Sequence, residues 1–92
     1  VIGSFTDAET ERIFGTGKSR HLSAIARVAA RRLGMIDFAK EMRDLREPPG
    51  NRMEQLSGNR AGQWSVRISD QYRICFRWVN DTAYDVEIVA YH

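Results

Sequence analysis

The C-terminal third of the chain alternates large apolar residues with polar ones, and arginine is prominent in the polar set. Trp64-Ser65-Val66-Arg67-Ile68, Tyr72-Arg73-Ile74-Cys75-Phe76-Arg77-Trp78 and Tyr84-Asp85-Val86-Glu87-Ile88 each keep a period of two. Successive strand residues point to opposite faces, so these segments read as sheet rather than helix. The pattern puts Trp64, Val66, Ile68, Tyr72, Ile74, Phe76, Trp78, Tyr84, Val86 and Ile88 on one face. Arg67, Arg73 and Arg77 fall on the other. The apolar face needs a covering layer, and the arginine face is left to meet solvent or an anion.

The earlier part of the chain supplies that layer. Val1–Phe5 reads as a short strand. Thr6 or Asp7 caps a helix running to about Phe14, with Glu9 spaced for a capping box with Thr6. Gly15-Thr16-Gly17 ends it, and Lys18–His21 is a basic connector. Leu22, Ile25, Ala26, Ala29 and Leu33 recur at helical spacing, which predicts a helix from about Leu22 to Leu33 that bends or weakens at Gly34. A further turn or two covers Asp37 to Leu45 before Pro48-Pro49 stops it. Met53–Leu56 reads as a short edge strand, and Ser57–Gly62 as a loop. Strands at about Gln63–Ile68, Gln71–Val79 and Tyr84–Ala90 follow, joined by turns at Ser69–Gln71 and Asn80–Ala83. The fold class is α+β: an N-terminal strand and two or three helices packed on a mainly antiparallel, curved sheet, as a single domain over residues 1–92.

Keeping apolar residues opposite one another sets a register. A first hairpin centred on Asp70 pairs Ile68 with Tyr72, Val66 with Ile74 and Trp64 with Phe76, and sets Arg67 beside Arg73. A second centred on Asp81 pairs Trp78 with Tyr84, Phe76 with Val86 and Arg77 with Asp85. Arg73 then lies near Val89. Arg77 has a local ion-pair partner in Asp85. Arg67 beside Arg73 has none at that register, and like charges directly opposite destabilise a sheet. Glu87 is one group that reaches them. The guanidinium forks either fan into solvent or receive a phosphate, which arginine binds bidentately.

Tyr91 and His92 extend the last strand. Imidazole is suited to proton transfer near neutrality, and an aromatic ring beside arginine can stack an unpaired base. Taken alone, a C-terminal histidine is a weak signal. With two histidines and a single cysteine among 92 residues, the chain has no internal disulfide and no thiolate or histidine-rich metal cluster. No cofactor is expected. Cys75 fits a reducing cytoplasm. No run reaches the roughly 18 apolar residues of a membrane span, and no signal-like segment leads the chain. The chain starts at Val1, which fits a few altered or missing N-terminal residues. The net charge of +2 is a weak argument for nucleic acid. Arg20, Arg27, Arg31 and Arg32 read first as a solvated helix face and second as a surface for RNA or an acidic partner.

Ser4-Phe5, Leu45, Pro49-Gly50-Asn51-Arg52, Leu56-Ser57-Gly58-Asn59-Arg60, Gly62-Gln63-Trp64-Ser65, Tyr72-Arg73-Ile74 and Val89-Ala90-Tyr91-His92 together resemble the HigB toxins of the RelE superfamily. The resemblance covers essentially the whole chain in order. It implies a ribosome-dependent endoribonuclease that enters the ribosomal A site and cleaves mRNA without a metal. It also implies a HigA-type antitoxin as partner, with operator DNA met only through that antitoxin. By position, Arg73 matches the phosphate-binding sheet arginine, and Tyr91 and His92 match the terminal Tyr-His pair, with His92 in acid/base work. Fuller members carry histidine, lysine and aspartate where this chain has Glu54, Ser57 and Ala90. Glu54 is then a candidate replacement base, and Arg52, Arg60, Arg67 and Arg77 are candidates for the remaining phosphate contacts. A noncatalytic RNA- or ribosome-binding module and an antitoxin-binding corepressor are the competing readings.

Overall fold

The computed structural model describes residues 1–91. Three helices, α1 (Ala8–Thr16), α2 (Ala26–Phe38) and α3 (Arg43–Arg46), precede a four-stranded antiparallel sheet. Its strands are β1 (Glu54–Gln55), β2 (Trp64–Arg67), β3 (Tyr72–Val79) and β4 (Thr82–Ala90), in spatial order β1-β2-β3-β4. Among the described residues, no helix is long and apolar enough to cross a membrane.

The period-two face became the core. Val66, Ile74, Phe76 and Val86 are fully buried and meet Ile13 of α1 and Ala29, Leu33 and Ile36 of α2. Trp64, Tyr72, Trp78 and Ile88 pack around this centre while partly exposed. Gly34 does not interrupt α2. The helix starts later than its apolar stripe, at Ala26, and continues to Phe38. Ile36 behind the sheet anchors that extension, and one interior glycine costs only about 1 kcal/mol relative to alanine.

The N-terminal segment is less regular than a strand. Single parallel bridges join Ile2 to Ala83 and Phe5 to Val86, lining this segment along the free side of β4. Gly3 permits the close approach, since a Cβ there would lie 2.6 Å from the Tyr84 ring. Asp7, not Thr6, caps α1. Its Oδ2 accepts from the Thr10 amide at 2.9 Å, and its Oδ1 accepts from the Thr10 hydroxyl at 2.7 Å. The same hydroxyl accepts from the Ile88 amide at 3.1 Å, so the cap also ties α1 to β4. Glu9 turns away from the expected capping box and accepts from Ser19. Asp7→Ala removes the cap and loosens this chain of bonds, with an expected loss of about 1–2 kcal/mol in urea denaturation. A loss under about 0.3 kcal/mol would show that Thr10 holds the helix end unaided.

The first hairpin has the expected register: Trp64 opposite Phe76, Val66 opposite Ile74, Arg67 opposite Arg73. The second departs from it near its turn. Asn80 and Asp81 both take left-handed backbone, at φ 51° and 61°, and make a tight two-residue connection. That connection pairs Trp78 with Ala83 and Arg77 with Tyr84, one residue away from the apolar register. A bulge restores it: beyond Phe76 the pairing is Cys75–Glu87, Ile74–Ile88 and Arg73–Val89. Asp85 is the extra residue and sits at φ 54°. Because of it, Ala83 and Val86 are both fully buried although they differ in parity. Tyr84, expected in the core stripe, pairs with Arg77 instead and lies against Gly3.

Candidate active site

The sheet register assembles a polar patch on the face away from the helices. Glu54, Ser65, Cys75 and Glu87 form one row across all four strands, and Arg67, Arg73 and Val89 form the next. From the second row, Arg73 reaches back into the first. Its Nη1 donates to Glu54 Oε2 at 2.8 Å and to Ser65 Oγ at 2.8 Å, and its Nη2 donates to Glu54 Oε1 at 3.2 Å. The Cζ of the same guanidinium lies over the Tyr91 ring, 4.3 Å from its centre, a cation–π contact. Tyr91 is held by its amide, which donates to the Gln71 carbonyl at 3.0 Å.

Glu54, Arg60, Arg73, Cys75 and Tyr91 line one cleft of about 300 Å³, with Leu56, Val89 and Ala90 as its apolar walls. Arg60 donates to Glu87 at 2.8 Å and to Gln63 at 2.9 Å, and Glu87 also accepts from Thr6 at 3.0 Å. This network fixes a second cation at the cleft. Burial pushes the Cys75 thiol up, so it is a neutral filler at the cleft floor, not a nucleophile.

Electrostatics within the cleft are dominated by pairs. The hydrogen bond from Arg73 holds the Glu54 carboxyl below the usual glutamate range, with smaller help from the charges of Arg73 and Arg52. The pair in turn raises Arg73. A carboxyl lowered in the folded state favours folding above its unfolded pKa, and that contribution disappears as pH falls through the folded value. For Glu54 the window lies below about pH 4.3. At neutral pH Glu54 is an ionised partner of Arg73 and a poor proton acceptor while the pair stands.

The residues expected from sequence separate into two groups. Arg73, Glu54, Arg60 and Tyr91 are brought together. Arg67, Arg77 and Arg52 are not among the described residues that line the cleft. Arg67 does not fan into solvent beside Arg73, because it pairs with Asp70 three residues on. Arg77 donates through Nε to Asp85 Oδ2 at 2.8 Å, the expected pair, which survives the shifted register because the bulge turns Asp85 outward. Glu87, considered as a partner for Arg67 and Arg73, binds Arg60 instead. Arg52 follows the turn Pro49–Asn51 in a left-handed conformation. His92 lies outside the described residues. Ser65, Gln63 and Thr6 are not among the site residues the sequence points to, since their role is to position arginine and glutamate. The Arg77–Asp85 pair is about half exposed on both sides. Arg77→Ala is therefore expected to change the unfolding free energy by less than about 1 kcal/mol, and a larger loss in urea titration would assign the pair a role in holding the bulge.

Residues 3–92 match the family model for a RelE-like toxin of the type II toxin–antitoxin system HigB. "Toxin HigB-1" of Vibrio cholerae is 41% identical over 81 residues, covering 86% of this chain and 85% of that protein. "Endoribonuclease HigB" of Proteus vulgaris is 34% identical over 61 residues, or 66% of this chain and 65% of that protein. Among solved structures, the YoeB–YefM toxin–antitoxin complex of Staphylococcus aureus aligns over 100% of this chain and 98% of the matched chain, at TM-score 0.62 and 12% identity. The YoeB/ParE toxin of Agrobacterium tumefaciens aligns over 99% of each chain, at TM-score 0.50 and 17% identity. These structures share the fold, and the sequence matches carry the assignment: the chain belongs to the RelE-like HigB toxins of type II toxin–antitoxin systems.

Proposed function

We propose that residues 1–92 form a single toxin domain that cleaves mRNA on the ribosome, in the cytoplasm, as a metal-independent endoribonuclease. The observation that carries this reading is the convergence of Arg73, Glu54 and Tyr91 in one cleft, with Arg60 fixed at its side. In the cleavage, the ribose 2′-oxygen attacks the adjacent phosphorus, the P–O5′ bond breaks, and a 2′,3′-cyclic phosphate and a 5′-hydroxyl result. The step needs a base for the 2′-hydroxyl, an acid for O5′ and fixed positive charge on the phosphorane. Arg73 supplies the charge as a planar fork, and Arg60 adds to the local field. Tyr91 packs against the guanidinium and offers an aromatic surface on which a base can stack. His92 is assigned the acid that protonates O5′, and Glu54 the base.

Three parts of the fuller family pattern are replaced here, with Glu54, Ser57 and Ala90 at the corresponding positions. A site with fewer charged groups relies more on external positioning of its substrate, and the ribosomal A site provides it. The inhibitory partner is a HigA-type antitoxin, through which any contact with operator DNA is made.

The test is expression in a translation system with intact ribosomes, followed by mapping of mRNA ends. New 5′-hydroxyl ends that vanish in His92→Ala support the nuclease reading. Inhibition of translation without new ends would replace it with an RNA- or ribosome-binding module. Antitoxin binding with no effect on translation would make the chain a corepressor.

A further inference from the structure

The guanidinium assigned to the RNA phosphate already holds an anion of its own chain. Arginine offers a bidentate ligand two edges: the Nη1/Nη2 end and the Nε/Nη2 side. Glu54 occupies the end, with one carboxylate oxygen on each nitrogen at 2.8 and 3.2 Å. Ser65 takes a further Nη1 proton at 2.8 Å, and Nε is buried. A phosphate approaching from the cleft therefore meets an edge that is already filled.

The two partners are unequally held. The Arg73 side chain is only 14% exposed, clamped between Ser65 and the Tyr91 ring. The Glu54 side chain is 54% exposed and stands on β1, a two-residue edge strand. Opening the pair thus moves the carboxylate and leaves the guanidinium in place. Arg52 lies near enough to act on the Glu54 charge and offers the released carboxylate a favourable field.

We propose that Glu54 is an internal stand-in for the substrate phosphate, occupying the Arg73 fork in the free toxin and surrendering it when RNA arrives. The exchange rests on the reading of Arg73 as the phosphate residue and adds two consequences to it. In the free toxin the fork is screened from adventitious anions, so RNA affinity away from the ribosome is low. Once RNA arrives, Glu54 is released beside the incoming nucleotide, no longer held by Arg73 and now next to a negative phosphate. Both changes raise its proton affinity, so the group becomes a competent base only when substrate is present.

The test measures binding separately from cleavage. A short 2′-O-methyl oligoribonucleotide, which lacks the attacking hydroxyl, is titrated against the full chain by fluorescence anisotropy at fixed low salt. Wild type, Glu54→Gln, Arg73→Ala, the double variant and Asp85→Asn are compared, with circular dichroism reporting that each is folded. Glu54→Gln is expected to bind about tenfold more tightly, the scale of replacing a charge-assisted competitor by a neutral one. The gain should disappear in the Arg73→Ala background, and Asp85→Asn should not reproduce it. Equal or weaker binding by Glu54→Gln would overturn the exchange. So would a gain that persists without Arg73 or is matched by Asp85→Asn, since either reports only net charge. Mapping of ribosome-bound mRNA ends with wild type distinguishes the two readings. Coupling without cleavage would retire the nuclease and keep the exchange, and cleavage without coupling would do the reverse.

Discussion

Arg73→Lys is expected to slow cleavage of ribosome-bound mRNA by about 10²–10³-fold while leaving the chain folded. The substitution keeps a positive charge on β3 and removes the planar fork. Lysine cannot donate in parallel to two oxygens, and its compact ammonium does not reproduce the guanidinium's contact with the Tyr91 ring, whose centre lies 4.3 Å from Arg73 Cζ. Losing one preorganised donor to a developing oxyanion typically costs two to three orders of magnitude in rate. The structural cost should be smaller, because a cation remains to face the solvent-exposed carboxylate of Glu54. Single-turnover cleavage in programmed ribosome complexes, beside a urea titration of the free protein, separates the two effects. A rate within threefold of wild type would remove Arg73 from the chemistry and leave it a role in joining β1 to β3.

The sheet was legible in the sequence where side-chain pattern alone decides pairing. Trp64, Val66 and Ile68 match Phe76, Ile74 and Tyr72 without conflict, so the first hairpin could be placed to the residue. In the second hairpin two requirements disagree. The two-residue Asn80-Asp81 turn asks for one register and the apolar face asks for another, and the conflict is resolved by bulging Asp85. Nothing in a period-two pattern announces that compromise, so the pattern assigns Tyr84 to the core face. The start of α2 is not legible in the stripe, because Leu22 and Ile25 are apolar at helical spacing yet serve as partly buried residues of a preceding turn. In the site, Arg73 was visible as an arginine opposite another arginine. Its partner was not, because Glu54 reaches it diagonally from an edge strand whose register no apolar pair defines. Tyr91 is legible as the aromatic end of the last strand, Glu54 only through the family resemblance, and the cation–π contact and the ion pair are additions that only side-chain geometry supplies.

Phe76→Ala is expected to destabilise the fold by about 3–5 kcal/mol. Phe76 is fully buried at the centre of β3, with its ring edge-on to Trp78 at 6.3 Å between centroids. It stands opposite the bulge, where no directly paired neighbour on β4 can close over a cavity. A chain of this length has roughly 5–14 kcal/mol of stability in total, at about 0.05–0.15 kcal/mol per residue. The substitution therefore consumes a large part of it and should lower the melting temperature by more than about 12 °C. It should also abolish toxicity by a route unlike that of Arg73→Lys. Arg73 is three residues along the same strand, so loosening β3 disperses the cleft together with the core. Thermal unfolding followed by near-ultraviolet circular dichroism, which reports the packing of Trp64 and Trp78, would register both events at one temperature. A fall of less than about 4 °C would mean that Trp78 and Val86 close over the vacated volume, and that the centre of this sheet is more adaptable than its burial implies.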